Sequence, residues 1–236
     1  PAPQSPTYDL HDGGIAVVTL DDGRANAMSS AVVQGLEAAL DRAAADRARA
    51  VVVVGRPGRF SAGFDLAEMT AGLESMRNLV VAGARWMLRL YGYGAPTVAA
   101  CTGHSLAGGA LTLLSCDVRI GADAPAKIGL NEVAIGMPLP KFAVELARDR
   151  LATAALGPST IGAAVYDPAG AVAAGYLDRV VPADRVLDEA LAEARRLAEL
   201  RTGAYAQTKR NLRGAMIERV LAELVEDVAG VEGPEV

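Results

Sequence analysis

Residues 103–110 read GHSLAGGA and place a serine and two adjacent glycines between a strand-like run and a helix-like run. A strand, a tight turn bearing serine and a helix are the elements of a nucleophile elbow, in which the serine hydroxyl attacks an acyl carbon. Ser105 would be that nucleophile. The glycines Gly108 and Gly109 offer a second chemistry, because the backbone N–H groups at the start of a helix have no partner within it.

A serine nucleophile needs a general base, and the sequence supplies none in a suitable place. The two histidines are His11 and His104, whereas the histidine of an elbow enzyme follows its serine in the chain. Ala107 also stands where the motif has its last glycine. A serine–lysine pair stays open at this point, but the pattern as a whole disfavours a hydrolase, and we expect Ser105 to be a bystander.

The second chemistry is the stabilisation of negative charge by backbone amides. The first N–H groups of a helix lie at the positive end of its dipole, and glycine lets a ligand approach the backbone closely. A second bend of small residues lies within FSAGFDLAEM (60–69), ahead of another predicted helix. Amides from both bends that converged on one carbonyl oxygen would form an oxyanion hole. The alternative from the residues alone is that both segments are ordinary glycine loops.

Alternating strands and helices are predicted to position these bends. Runs typical of buried strands occur at IAVVTL (15–20), VVVVG (51–55), TVAAC (97–101), DVRIGAD (117–123) and YLDRVVP (176–182). Helical patterns occur at 31–47, 73–91, 108–116, about 184–200 and about 204–228. RPGRFSAGFDL is predicted to be a loop-rich link. The alternation favours an α/β fold with parallel strands.

Composition restricts the classes of function. The chain has 236 residues, of which 51% are hydrophobic and 22% charged, and its net charge of −5 gives no general attraction to nucleic acid or to an anionic membrane. Its two cysteines form no CxxC pair, and no metal-ligand spacing surrounds its histidines. PAPQSPTYDL has no apolar core or basic leader, so a cytoplasmic protein is expected. The predicted divisions are a loose tail (1–6), a core (7–183) and a helical region (184–236).

Four segments together resemble the crotonase (enoyl-CoA hydratase/isomerase) superfamily. They occur in the family's order and are GRANAMS (23–29), FSAGFDLAEM (60–69), TGHSLAGGALTLLSCDVRIGAD (102–123) and KIGLNEVAIGMP (127–138). The resemblance runs from about Ile15 to Val181 and implies a spiral of strand–strand–helix turns with a helical C-terminal trimerisation region. It further implies an acyl-CoA substrate, no cofactor beyond the coenzyme A that the substrate carries, a role in fatty-acid metabolism, and a homotrimer or homohexamer.

The resemblance also assigns roles to individual residues. The amides of Phe64 and Gly108 would stabilise an enolate at the thioester oxygen, and Lys209 would contact a phosphate of coenzyme A. The remaining contacts with the substrate and its coenzyme A would come from Arg24, Ala25, Ala27, Ala62, Asp65, Leu66, Leu111 and Asn131. Both Arg24 and Lys209 have the plain alternative of an exposed surface charge.

The carboxylates decide which reaction is expected. Hydratases of this family use two glutamates, and this chain has Leu111 at the first position and Glu132 at the second. One glutamate suffices for a proton shuttle, and the stretch IGLNE resembles the single-glutamate 3,2-trans-enoyl-CoA isomerases. We therefore expect an enoyl-CoA isomerase, with a hydratase and a catalytically silent acyl-CoA-binding protein as alternatives. Burial is expected to raise the pKa of Glu132, whereas Asp65 and Glu68 are expected to face solvent or brace the loop.

Overall fold

The computed structural model describes residues 6–231, so most of the predicted N-terminal tail lies outside the described residues. Within them the strands are β1 (Thr7–His11), β2 (Ile15–Leu20), β3 (Ala27–Met28), β4 (Ala50–Gly55), β5 (Gly58–Ser61), β6 (Gly63–Phe64), β7 (Thr97–Cys101), β8 (Gly103–Leu106), β9 (Val118–Asp123), β10 (Ile128–Gly129) and β11 (Arg179–Pro182). The α-helices are α1 (Ser30–Ala45), α2 (Leu66–Thr70), α3 (Leu73–Tyr91), α4 (Gly108–Leu114), α5 (Lys141–Arg150), α6 (Thr153–Thr160), α7 (Pro168–Ala174), α8 (Val186–Ala198) and α9 (Thr202–Ala229).

The largest sheet has the strand order β1-β2-β4-β7-β9-β11. β1 is antiparallel to β2, and the other neighbours are parallel. β4 and β7 are buried along their whole length. Their continuous apolar runs predicted this, because such runs are typical of strands covered on both faces. One face packs against α8 through Val186, Ala190 and Ala194, and the other faces the main core beneath α1 and α3.

Two smaller parallel sheets carry the segments that the sequence pattern left as loops. One has the order β10-β8-β5, and the other pairs β3 with β6. The loop prediction for RPGRFSAGFDL was therefore wrong, since this stretch contains β5 and β6. The turn prediction for GHSL was also wrong, because these residues are β8 and the turn itself is confined to Ala107. A large-sheet strand, a small-sheet strand and a helix recur along the chain, which confirms the expected spiral.

The long helix α9 is fastened to the rest of the chain near both ends. The side chain of Asp117 is 8% exposed and accepts hydrogen bonds from Lys209 Nζ (2.6 Å) and Arg213 Nη1 (2.7 Å). Near the other end, Asp227 Oδ2 accepts a hydrogen bond of 2.7 Å from the backbone N–H of Lys141, at the start of α5. Within residues 6–231, no helix has the length and apolar character needed to cross a membrane.

Candidate active site

A cavity of about 720 Å³ lies where the small sheets meet α2, α4 and the segment before α5. Its volume falls within the usual range for small-molecule sites, which is roughly 300–1,000 Å³. Many of the residues assigned to the site on sequence grounds line it together. They are Ala25, Ala27, Ala62, Phe64, Asp65, Leu66, Leu111, Asn131 and Glu132.

Two glycine bends meet at this cavity. Gly63 has φ +92°, and a Cβ atom built on it would lie 3.0 Å from the backbone nitrogen of Gly108 and 2.9 Å from the Cβ of Ala107. A Cβ on Gly109 would overlap the carbonyl oxygen of Ser61. The segment ending β5 and the start of α4 are therefore in backbone contact, which only glycine permits. This contact places the N–H groups that follow Gly63 and that open α4 beside one another.

The register of the smallest sheet leaves the Phe64 amide pointing away from its partner strand. Met28 lies opposite Phe64, and the carbonyl of Met28 accepts a hydrogen bond from the N–H of Asp65. When two residues lie opposite each other on parallel strands, only one of them uses its backbone N–H and C=O to bond the other strand. The backbone N–H and C=O of the second residue point away from that strand. Among the described strands β6 pairs only with β3. The Phe64 N–H is thus directed away from β3 and takes no part in this small sheet.

Ala107 joins β8 to α4 in a strained conformation. Its φ of 49° and ψ of −124° lie in a region that L side chains seldom adopt. Such a residue costs about 1–3 kcal/mol and often occurs at functional sites. Gly108 is the first residue of α4 and lies buried directly after Ala107, which itself lines the cavity. Gly108 itself is not among the residues that line the cavity, although Ala107 before it is.

Asn26 holds the segment that contains Ala25 and Ala27, a role that sequence reasoning missed. It is buried, and its side-chain amide donates to the carbonyls of Leu20 (2.7 Å) and Phe60 (3.1 Å). Its own carbonyl accepts a hydrogen bond of 2.7 Å from Ser61 Oγ. Its φ of 52° is a conformation that asparagine tolerates better than most residues. The signal available in the sequence was an asparagine in the turn that follows the predicted strand IAVVTL.

Glu132 is the acid of the cavity. It is 9% exposed and lies just before a single 3-10 turn, Val133–Ile135. Burial raises the pKa of its carboxyl from the ordinary 4.5 to about 7, against a smaller lowering by nearby backbone N–H groups. Its Oε2 has no hydrogen-bond partner among the described residues. This confirms the expectation that burial raises the pKa and leaves a carboxyl poised to exchange a proton near neutral pH.

Asp65 is the other carboxylate that lines the cavity, and it is engaged elsewhere. It caps α2, with its Oδ1 accepting a hydrogen bond of 3.1 Å from the N–H of Glu68. Glu68 in turn accepts hydrogen bonds from the backbone N–H and the hydroxyl of Ser30. Both residues therefore brace the loop, as expected. Glu132 is thus the one uncommitted carboxylate among the described lining residues.

Most of the remaining cavity wall is apolar. Leu111 is 2% exposed and lies one turn into α4 after Gly108. Sequence reasoning missed a further set of lining residues, because most of them are apolar and look like ordinary core. They are Ala67, Met69, Thr70, Val80, Leu106, Ala107, Ile135, Met137, Pro138, Pro140, Phe142 and Val231.

The two basic residues that were assigned to phosphate groups, Arg24 and Lys209, do not line the cavity. The prediction for Lys209 was wrong, because its ammonium is buried away from the cavity and donates to Tyr93 O, Ala95 O and Asp117. These contacts use all three of its protons. Arg24 is exposed next to Ala25, and its backbone N–H donates to Asp22 Oδ1 at 2.6 Å. Its contact with a phosphate stays a prediction.

Ser105 does not face the cavity. It is fully buried in β8, whereas its neighbour Leu106 lines the cavity wall. His104 Nδ1 accepts a hydrogen bond of 3.1 Å from the backbone N–H of Lys127. The elbow interpretation therefore lacks both an accessible nucleophile and a base beside it. In residues 6–231 no three side chains of His, Cys, Asp or Glu are grouped as metal ligands would be.

Comparisons with known proteins agree with this geometry. A sequence model of the family described as enoyl-CoA hydratase/isomerase matches residues 11–229. The mitochondrial enoyl-CoA delta isomerase 1 of Homo sapiens is 31% identical over 219 residues, covering 91% of this chain and 72% of the relative. A putative enoyl-CoA hydratase of Thermus thermophilus is 37% identical over 196 residues, covering 80% of this chain and 77% of the relative.

A solved structure extends the similarity to the whole fold. The crystal structure of an enoyl-CoA hydratase/isomerase family protein from Pseudomonas syringae superposes with a TM-score of 0.92 at 42% identity, covering 95% of this chain and 97% of the other. Sequence and fold thus match over nearly the whole chain. The chain belongs to the enoyl-CoA hydratase/isomerase family of the crotonase superfamily and is an enzyme of that superfamily.

Proposed function

We propose that this enzyme is an enoyl-CoA isomerase, which converts a 3-enoyl-CoA into the 2-enoyl-CoA in fatty-acid metabolism. The observation that carries the proposal is a single uncommitted carboxyl, Glu132, in a cavity whose α4 wall presents Leu111. A proton shuttle needs one group that can accept a proton and return it. A pKa of about 7 suits both directions.

The reaction proceeds in two proton transfers. The carboxylate of Glu132 removes a proton from C2 of the 3-enoyl-CoA, and the C2–H electron pair delocalises into a dienolate with its negative charge on the thioester oxygen. The N–H groups of Phe64 and Gly108 stabilise that oxygen, and loss of one such donor costs about 3–4 kcal/mol. Glu132 then returns the proton to C4, and the double bond lies between C2 and C3. The step needs no electron donor or acceptor.

The apolar wall supports isomerisation over water addition. By resemblance, the hydratases of the family place a glutamate where this chain has Leu111. A leucine side chain neither holds nor protonates a water molecule, and it keeps the dienolate from being quenched by solvent. The similarity to a putative hydratase at 37% identity makes hydration of a 2-enoyl-CoA the second candidate.

Parallel assays separate the candidates. We expect wild-type protein to convert 3-hexenoyl-CoA with a rise in conjugated-thioester absorbance, and Glu132→Gln to lose that turnover while binding hexanoyl-CoA. Glu74→Gln, at an exposed glutamate of α3, is the matched control. Hydration of crotonyl-CoA without isomerisation would favour the hydratase, and binding with neither reaction would favour the silent protein. Unchanged isomerisation in Glu132→Gln would refute the assignment of the acid.

For the assembly we propose a homotrimer or homohexamer, as the resemblance implies. The surface near the start of α9 presents two exposed leucines, Leu200 and Leu212, which a subunit contact would cover. Light scattering on purified protein would measure the mass, and a monomer at all concentrations would contradict the proposal.

A further inference from the structure

The segment after α9 reaches the cavity at a single residue. Among the described residues after Phe142, only Val231 lines the cavity, and it is 5% exposed. It lies one residue beyond Gly230, the C-cap of α9, and its N–H donates to the carbonyl of Val228 at 3.0 Å. The C-terminal region therefore contributes one apolar side chain to a wall otherwise built by residues 25–142.

The place of Val231 in the cavity follows from its neighbours. Asp227, in the same turn of α9, accepts the backbone N–H of Lys141 at 2.7 Å. Lys141 lies between Pro140 and Phe142, and both of these line the cavity. Val231 therefore follows a turn of α9 that is bonded to the start of α5.

The wall of the cavity combines a few polar groups with a larger number of apolar side chains. The amides of Phe64 and Gly108 and the carboxyl of Glu132 mark where a thioester would react. The side chains of Met69, Val80, Met137, Phe142 and Val231 add a continuous set of apolar groups to the lining. Such a surface suits an alkyl chain, because it offers burial of apolar area with few polar partners.

We propose that Val231 forms the end wall of this apolar compartment and thereby sets the longest acyl chain that the enzyme accepts. The inference rests on the proposed function, since it takes an acyl-CoA thioester as the ligand. The wall is firm because α9 is fastened by buried contacts of Lys209 and Arg213 with Asp117 at one end and by Asp227 at the other. A longer chain would have to displace Val231 together with a helix that these contacts hold in place.

Binding of saturated acyl-CoAs tests the wall without requiring turnover, because saturated chains cannot be isomerised. Calorimetric titration with butanoyl-, octanoyl- and dodecanoyl-CoA gives the ratio of the dodecanoyl to the butanoyl Kd. We expect Val231→Trp to raise this ratio by about tenfold or more and Val231→Gly to lower it, since one methylene in an apolar pocket changes affinity by roughly tenfold or more. Val225→Trp and Val225→Gly, at a valine of α9 that is 60% exposed, should keep the wild-type ratio.

The outcomes distinguish this inference from the proposed isomerase. A ratio that stays within about twofold of wild type in both Val231 variants would overturn the inference, and circular dichroism would show which variants are folded. If Val231→Trp does not fold, the glycine variant alone carries the test. A shifted ratio in a protein that fails to isomerise 3-enoyl-CoA would leave the wall assigned and refute the isomerase. No binding of any acyl-CoA would refute both.

Discussion

Ionisation of the buried Glu132 should lower the free energy of unfolding as the pH rises, and Glu132→Gln should remove this pH-dependent loss. Burial raises the pKa of the carboxyl from 4.5 to about 7, so the folded protein holds a proton that the unfolded chain releases. Below about pH 4.5 the carboxyl is protonated in both states and carries no penalty. Between about pH 4.5 and pH 7 the unfolded chain binds fewer protons, and the free energy of unfolding falls as the pH rises.

The magnitude follows from the two pKa values. A carboxyl whose pKa rises from 4.5 to about 7 on folding costs about 3 kcal/mol once it is ionised in both states. Glutamine resembles the neutral acid in shape and cannot ionise. Glu132→Gln should therefore match wild type near pH 4.5 and exceed its free energy of unfolding by about 3 kcal/mol at about pH 8.5.

Urea unfolding followed by circular dichroism at matched protein concentration measures this difference across the pH range. Glu74→Gln removes one exposed carboxyl and controls for the change in net charge. A stability difference between wild type and Glu132→Gln that stays constant from about pH 5 to about pH 8.5 would refute the reasoning, because the fold would then not favour the protonated acid.

Three further outcomes are expected. The kcat/KM for isomerisation should rise through about pH 7 and then level, because Glu132 must be ionised to remove a proton, and a flat profile would contradict this. Gly63→Ala should lower kcat/KM on the order of a hundredfold, because the new Cβ would push against Gly108. The control is Gly203→Ala, where a Cβ would meet no other atom within 4 Å and kcat/KM should not change. Equal kcat/KM for the two variants in steady-state assays would refute the role of the glycine contact. Asp117→Asn should lower the free energy of unfolding by about 3–5 kcal/mol, since Lys209 and Arg213 lose a buried partner, and urea unfolding that shows no loss would disprove it.

Much of the large sheet could be predicted because its strands are buried on both faces and read as continuous apolar runs. The predicted bounds of β2, β7 and α3 agree with the structure. The small-sheet strands β5 and β8 could not be recognised this way, because GRFS and GHSL contain glycine and polar residues and gain their order from pairing with one another. Tertiary pairing, and not local propensity, makes these segments strands.

The lining residues that belong to motifs could be predicted more readily than those of the apolar wall. Glu132 and Phe64 belong to motifs with a recognisable spacing, whereas Val80 in α3 and Val231 after α9 are apolar residues that look like core from the sequence. The phosphate contact predicted for Lys209 was wrong. Helical spacing shows which residues share a face of α9, but it does not show which face packs against Asp117. A buried acidic partner far away in sequence decides the direction of such a side chain.

The contact between Gly63 and Gly108 makes the placing of the two proposed amide donors a property of the backbone rather than of any side chain. Substitutions at Glu132 or Leu111 can add or delete an acid while both amides stay in place. A gene duplicate of this enzyme could therefore exchange one thioester reaction for another through a few side-chain replacements, without rebuilding the means of holding the carbonyl oxygen. Sequence changes among such enzymes would be concentrated at the acidic residues and in the apolar wall. Substitution of the glycines would abolish every reaction that depends on the two amides.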